Sequence, residues 1–205
     1  MMNLKPKLTQ RLAWSFIWAA GILAVCVLVF IIGYVLVEGL SVISPDFLFT
    51  EPKGGLSGEG GISSCIIATL WLIVITMAIL TPLGIGAAIY LAEYAPDNRF
   101  THLIRYSVEL LAGVPSIVFG LFGFAIFVLA LHFNYSILAG ALTLVCLLLP
   151  FLTRSVEEAM RAVPQSQREA ALALGATKWQ TVVHVIMPAA LPGIITGIIL
   201  CVGGA

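Results

Sequence analysis

The sequence predicts an all-α polytopic membrane protein with five transmembrane helices and a cytoplasmic N-terminus. Three observations carry that expectation. Hydrophobic residues make up 60% of the 205 and charged residues only 10%, against about 25% charged in a soluble domain; mean hydropathy is +1.09. Uncharged stretches repeatedly reach bilayer length, roughly 20 residues for a ~30 Å hydrocarbon core. The cations, finally, fall almost entirely on one side of a five-span threading. A secreted disulfide domain and a disordered chain are excluded. A nucleic-acid binder is excluded too, because ten acidic residues balance ten basic ones and that function needs a basic excess.

The first span is expected over Leu12–Val37, which carries no charge and is too long for the apolar part of a signal peptide, so it reads as a retained anchor. The second lies within Gly60–Ala92, the third over Leu110–Leu131, the fourth over Ile137–Thr153, and the fifth from Ala189 to the end. This threading leaves 1–11, 93–109 and 154–188 on one side, with nine of the ten cations: Lys5, Lys7, Arg11, Arg99, Arg105, Arg154, Arg161, Arg168 and Lys178. Only Lys53 lies opposite, among Glu38, Asp46, Glu51 and Glu59. The positive-inside rule puts the cation-rich side in the cytoplasm.

Between the first two spans, Gly54, Gly55, Ser57, Gly58, Gly60 and Gly61 predict a mobile external loop. It has no Gly-Lys-Ser/Thr ending and is therefore no phosphate-cradling P-loop. Cys26, Cys65, Cys146 and Cys201 are far apart in apolar runs, which reads as small buried hydrophobes rather than a metal site. His102, His132 and His184 have no partner spacing and read as interfacial bystanders.

Segment 154–188 is too patterned for a connector. Arg154 to Arg161 is expected to continue the fourth helix out of the membrane, with Glu157 and Arg161 at i,i+4. Pro164 ends it. Ser166-Gln-Arg-Glu169 has the capping-box pattern and predicts a short helix over Gln167–Leu174 presenting Ala170, Ala171 and Ala173. Gly175 falls where a left-handed C-terminal cap is expected. Thr177-Lys-Trp-Gln180 repeats the box and starts a second helix towards Met187-Pro188. Such a stiff, small-faced helix-turn-helix at the membrane surface suits docking into a groove on a soluble partner, with Glu169 partly used in capping and Arg168 free for contact. An amphipathic helix lying on lipid is the bland alternative, and too few cations are present for binding DNA.

Three motifs resemble a known family. Glu169-Ala170-Ala171-Leu-Ala-Leu-Gly175, followed by the apolar stretch to Met187-Pro188, resembles the EAA loop of binding-protein-dependent ABC importer permeases. More narrowly, Thr81–Ala95, Leu111–Gly123 and Arg168–Gln180 resemble the phosphate-specific (Pst) importer permeases, the PstA type more than the PstC type. The likeness covers most of residues 60–200. It implies a type I, MetI-like permease of the bacterial or archaeal plasma membrane. Residues 1–61 would form an anchor helix and periplasmic loop, and 62–205 the permease domain, with the coupling loop at 164–188.

The resemblance further implies a second, PstC-like permease, a PstB-like cytoplasmic ATPase dimer and a PstS-like periplasmic phosphate-binding protein. ATP with Mg²⁺ would bind the ATPase, with no cofactor and no catalytic residue on this chain. Arg168, Glu169, Ala170, Ala171 and Gly175 are the expected ATPase-coupling residues. In the family an arginine and a Gly-Glu-Thr-Ala-Pro run follow near where this sequence stops, so a C-terminally truncated chain is expected.

Breaks in the spans suggest a path. Pro82, Gly84 and Gly86 are expected to interrupt the second helix. Gly113, Val114, Pro115 and Ser116 are expected to interrupt the third, about 9–15 Å into the core at ~1.5 Å per residue. Broken helices there can aim amides at an anion, which makes Pro115 and Ser116 substrate-path candidates beside a plain proline kink. Gly193-x3-Gly197 and Gly84-x3-Ala88 read first as packing faces. Arg105 and Glu109 form an i,i+4 ion pair or an intracellular gate. Arg154, at the inner end of the fourth helix, is either a snorkelling anchor or part of the anion path, and the resemblance favours the path. Alternatives are a PstC-type subunit, a permease for another oxyanion, or a membrane scaffold without transport. An intramembrane enzyme is disfavoured because the predicted spans hold no acid, base or histidine pair.

Overall fold

The structure, a computed structural model, describes residues 6–40, 43–53 and 59–205. Gly54, Gly55, Ser57, Gly58 and Lys5 lie outside them. The chain divides into two compact units, Met1–Ile66 and Ile67–Ala205.

In the first unit α1 (Pro6–Leu40) is one uninterrupted helix. Its most apolar stretch has no buried residue, as a lipid-facing helix requires. A short helix α2 (Pro45–Phe49) follows, begun by Ser44, whose hydroxyl accepts from the Phe47 amide at 3.2 Å. Pro52–Lys53 (β1) pairs antiparallel with Glu59–Gly60 (β2). Gly60 takes φ +100° there, a region closed to most side chains.

The second unit is a bundle built around α6 (Ile137–Arg161). On α6, Val145, Leu148, Leu152, Val156 and Met160 recur at intervals of three and four and are all buried, which places them on one helical face. On one side packs α3 (Ser63–Ile89), through Leu80, Gly84 and Ala88. On the other packs the last long helix, through Val182, Ile186, Ala190, Ile194 and Cys201. Both approaches are close. A Cβ on Gly84 would stand 2.8 Å from Leu152, one on Gly193 2.6 Å from Ala159, and one on Gly197 2.7 Å from Ser155. These are the small-residue faces the sequence suggested. Pro82, Gly84 and Gly86 do not interrupt α3, which runs through them; Gly84 is there for contact.

The third predicted span is where the fold departs from the sequence reading. Arg99–Ala112 forms α4, begun by Asn98, whose side chain accepts from the Thr101 amide at 2.9 Å. Ser116–Gly123 forms α5, widening into π-helical turns over Phe124–Ala130. The two are bent by 99° at Gly113–Pro115. Leu110 to Ala112 therefore belong to α4, and the distance from Arg105 to Ser116 is not depth along one axis. Proline cannot donate, and its predecessor avoids the helical region; together with Gly113 this turns the chain rather than kinking it. Among the described residues four helices are long and apolar enough to span a bilayer, with a fifth crossing if the bent α4–α5 pair is one broken span.

Of the cysteines, Cys201 is buried, Cys146 half-buried, and Cys26 and Cys65 exposed. A thiol is apolar enough to face lipid.

Candidate coupling and gating site at the charged end

Past the membrane-length part of α6, the helix continues without a break to Arg161, as expected. Gln165–Ala173 then forms α7. It starts two residues earlier than the box pattern suggested: Pro164 holds the N-cap position in extended conformation, and no side chain caps the helix. Ser166 and Glu169 therefore form no capping box. The C-terminal end matches its signal closely. Gly175 has φ +84°, its amide donates to the Leu172 carbonyl at 3.0 Å, and that of Ala176 reaches the Ala171 carbonyl at 3.1 Å. Those two bonds define a Schellman motif.

Thr177 and Gln180 do form their box. The Gln180 amide donates to Thr177 Oγ1 at 3.3 Å and the Thr177 amide to Gln180 Oε1 at 2.8 Å. The helix so begun, α8 (Lys178–Thr181), does not stop at Met187-Pro188. It passes through a π-helical turn (Val182–Ile186) directly into α9 (Met187–Gly204), so Lys178–Gly204 is one continuous span. Pro188 follows directly on the wide turn, within the continuous helix.

Charges at this end pair differently from the i,i+4 expectation. Arg105 and Glu109 do not pair with each other. Arg105 Nε donates to Glu157 at 2.9 Å and its Nη2 to the Leu91 carbonyl at 2.7 Å. Glu109 instead meets Arg154 at 3.1 Å, and Arg154 also holds Glu158 at 3.0 Å. The expected Glu157–Arg161 pair forms at 2.9 Å. An i,i+4 spacing only permits contact; with α6 packed alongside, each α4 charge meets a partner across the helix interface. Arg105, Glu109, Arg154, Glu157, Glu158 and Arg161 line a cleft of about 240 Å³. All six are partnered, so the cleft carries no net charge for an anion.

Arg168 is likewise not free. It pairs with Glu93 and donates to the Met160 carbonyl at 2.6 Å. Its side chain is 14% exposed and that of Glu93 only 9%. Glu93 lies in a π-helical turn, Tyr90–Tyr94, that ends α3. The same turn accepts Arg105 at the Leu91 carbonyl and lies under Lys178, whose Nζ is 5.2 Å from the Tyr94 ring. Cations from α4, α7 and α8 thus converge on one C-terminal turn, the end of a helix where positive charge is favoured. Sequence reasoning missed Glu93 and this convergence. A lone acid closing an uncharged span was the available signal, but nothing in its spacing pointed 75 residues on.

Every residue of α7 except Arg168 and Ala171 is exposed, Glu169, Ala170, Leu172 and Ala173 among them, while Ala171 is half-buried. Glu169 makes no hydrogen bond or ion pair among the described residues. Ser116 and Pro115, at the α4–α5 bend, are exposed as well. His102 meets Asp97 at 2.9 Å and His184 the Gln180 carbonyl at 3.2 Å. No cluster of three metal-ligating side chains occurs among the described residues.

A helical bundle with apolar spans and a short surface helix at its charged end defines a polytopic membrane protein. The chain belongs to the family described as binding-protein-dependent transport system inner membrane component, which matches residues 81–205; it is a multi-pass inner-membrane permease of an ABC importer. It is 40% identical to the probable ABC transporter permease protein YqgI of Bacillus subtilis, over 96% of this chain and 67% of that one. It is 35% identical to the phosphate transport system permease protein PstA 1 of Mycobacterium tuberculosis, over 98% and 67%. The PstA protein of Haemophilus influenzae is 32% identical, over 96% and 69%. The chain thus spans about two thirds of the length of these relatives, and they bear out the resemblance to the PstA type. Among solved structures, an inward-facing MetNI methionine ABC transporter matches with a TM-score of 0.55 at 22% identity, over 69% of this chain and 66% of that one. That likeness supports the MetI-like fold.

Proposed function

We propose that this chain is a PstA-type permease subunit of an ATP-driven importer of inorganic phosphate, driven through α7 by a separate ATPase. The carrying observation is the construction of α7: a Schellman cap on Gly175 ends it, the box on Thr177 starts α8 directly afterwards, and Glu169, Ala170 and Ala173 lie exposed on this short helix. Small side chains let a partner groove close on the helix backbone, and Glu169 is available to a cation there. ATP and Mg²⁺ bind the partner ATPase. Its closure draws α7 along and switches the bundle between inward- and outward-facing states. The cation-rich end of the bundle faces the cytoplasm, and a second permease and a periplasmic phosphate-binding protein complete the importer.

The test is reconstitution of the complete protein with its partner permease, ATPase and binding protein, followed by ATP-dependent uptake of labelled phosphate. Uptake is expected, with sulfate a poor competitor. Competition by sulfate equal to that by phosphate would point to a different oxyanion. Glu169→Lys and Gly175→Asp are expected to leave the chain inserted but to lose ATPase co-purification. Retention of the ATPase at the unaltered yield, with normal uptake, would remove α7 as the docking element.

A further inference from the structure

We propose that the Glu93–Arg168 ion pair is the transmission link that carries movement of α7 to the end of α3. This deepens the functional reading and rests on it. Three observations support the link. First, the pair is the most enclosed of the ion pairs at this end, with both side chains at least 86% buried, whereas the Arg154 pairs are open to solvent. Second, Arg168 has a second hold, on the Met160 carbonyl in the last turn of α6. One side chain on the surface helix therefore grips the ends of two membrane helices at once. Third, the Glu93 turn is fastened from its other side by Arg105, which joins the Leu91 carbonyl to Glu157 of α6.

The mechanical consequence follows from burial. A surface ion pair yields and reforms through water at little cost, so it transmits no force. A buried pair cannot open without stranding a charge, so helices joined by it move as one body. A displacement applied at Glu169 or Ala170 is delivered one residue or two away at Arg168, and from there to Glu93. Because α3 packs closely on α6 through Gly84, the movement enters the bundle rather than stopping at its surface. Arg168 is a positioning residue in this account, facing inward from the helix whose opposite face meets the ATPase.

The experiment uses Glu93→Gln, Arg168→Gln and the double variant in the reconstituted complex, measuring phosphate uptake and ATP hydrolysis separately. Each single variant is expected to lower uptake by about tenfold while ATP hydrolysis in the Glu93→Gln complex stays within about twofold. The double variant is expected to be no worse than the poorer single one, as for two groups acting as a unit. Hydrogen exchange on the detergent-solubilised chain supplies a readout free of transport: α7 amides are expected to exchange about tenfold faster in either single variant. The link is overturned by unchanged exchange, by uptake within about twofold in both single variants, or by single losses that multiply in the double variant. Failure of the unaltered complex to take up phosphate would instead refute the proposed substrate, leaving the exchange result to decide the link.

Discussion

Helices α4 and α6 are joined by two ion pairs one helical turn apart, built from the same residue types and unequal in surroundings. Arg105 meets Glu157 with side chains 25% and 12% exposed; Arg154 meets Glu109 with side chains 42% and 61% exposed. The first pair also engages a backbone carbonyl, and the second shares its arginine with Glu158. Burial, rather than charge or spacing, separates a fastening from a solvated contact. Water and salt screen the open pair, whereas the enclosed one leaves an uncompensated arginine if its acid is removed.

The largest effect expected from breaking that contrast is at Glu157. Glu157→Gln keeps the shape and one acceptor but withdraws the charge facing both Arg105 and Arg161. The expected loss is about 3 kcal/mol, the low end for opening a buried pair because a quarter of the Arg105 side chain still reaches solvent. A lowered melting temperature in detergent checks it; an unchanged one would mean that the pair is no more than a surface contact.

A second contrast sharpens the first, because the two box patterns also differ in use. Thr177 and Gln180 close theirs, so Thr177→Ala is expected to cost about 1 kcal/mol. Local amide exchange over 178–182 reports the fraying. Smaller again is Glu109→Gln: its partner Arg154 keeps Glu158, and an open pair adds little. A loss below about 1 kcal/mol is expected at physiological salt, read as a small fall in melting temperature that vanishes in high salt. A shift that persists in high salt would show the pair to be shielded and would erase the contrast with Glu157.

Much of the fold was legible because it depends on local rules. Length and hydropathy placed the spans other than the third, glycine spacing placed the close contacts at Gly84, Gly193 and Gly197, and Gly175 announced its left-handed turn. The misses share a cause. Arg105 and Glu109 sit one turn apart, and sequence spacing alone cannot weigh that pairing against partners 52 and 45 residues away that arrive only when α6 packs. The same holds for Arg168, read as free because Glu93 is remote in sequence. At Gly113–Pro115 the residues announced a break, but whether a break becomes a kink or a 99° turn is decided by where α4 finds its partners.

The smallest expected effect is at Ser166, and it tests why one box forms and the other does not. Pro164 has φ −56° and ψ 138° and opens the helix at once; its carbonyl accepts the Gln167 amide at 3.1 Å. Ser166 is then already inside the first turn, in a helical conformation, whereas a capping residue must be extended so that its hydroxyl can reach the amides ahead of it. Thr177, at φ −69° and ψ 159°, is extended and caps. Ser166→Ala is therefore expected to change stability by less than about 0.5 kcal/mol and to leave α7 exchange unaltered. An effect equal to that of Thr177→Ala would mean that α7 begins at Gln167 after all. Pro164 would then be a spacer, and α7 would open on a side-chain cap at Ser166 as α8 does on Thr177.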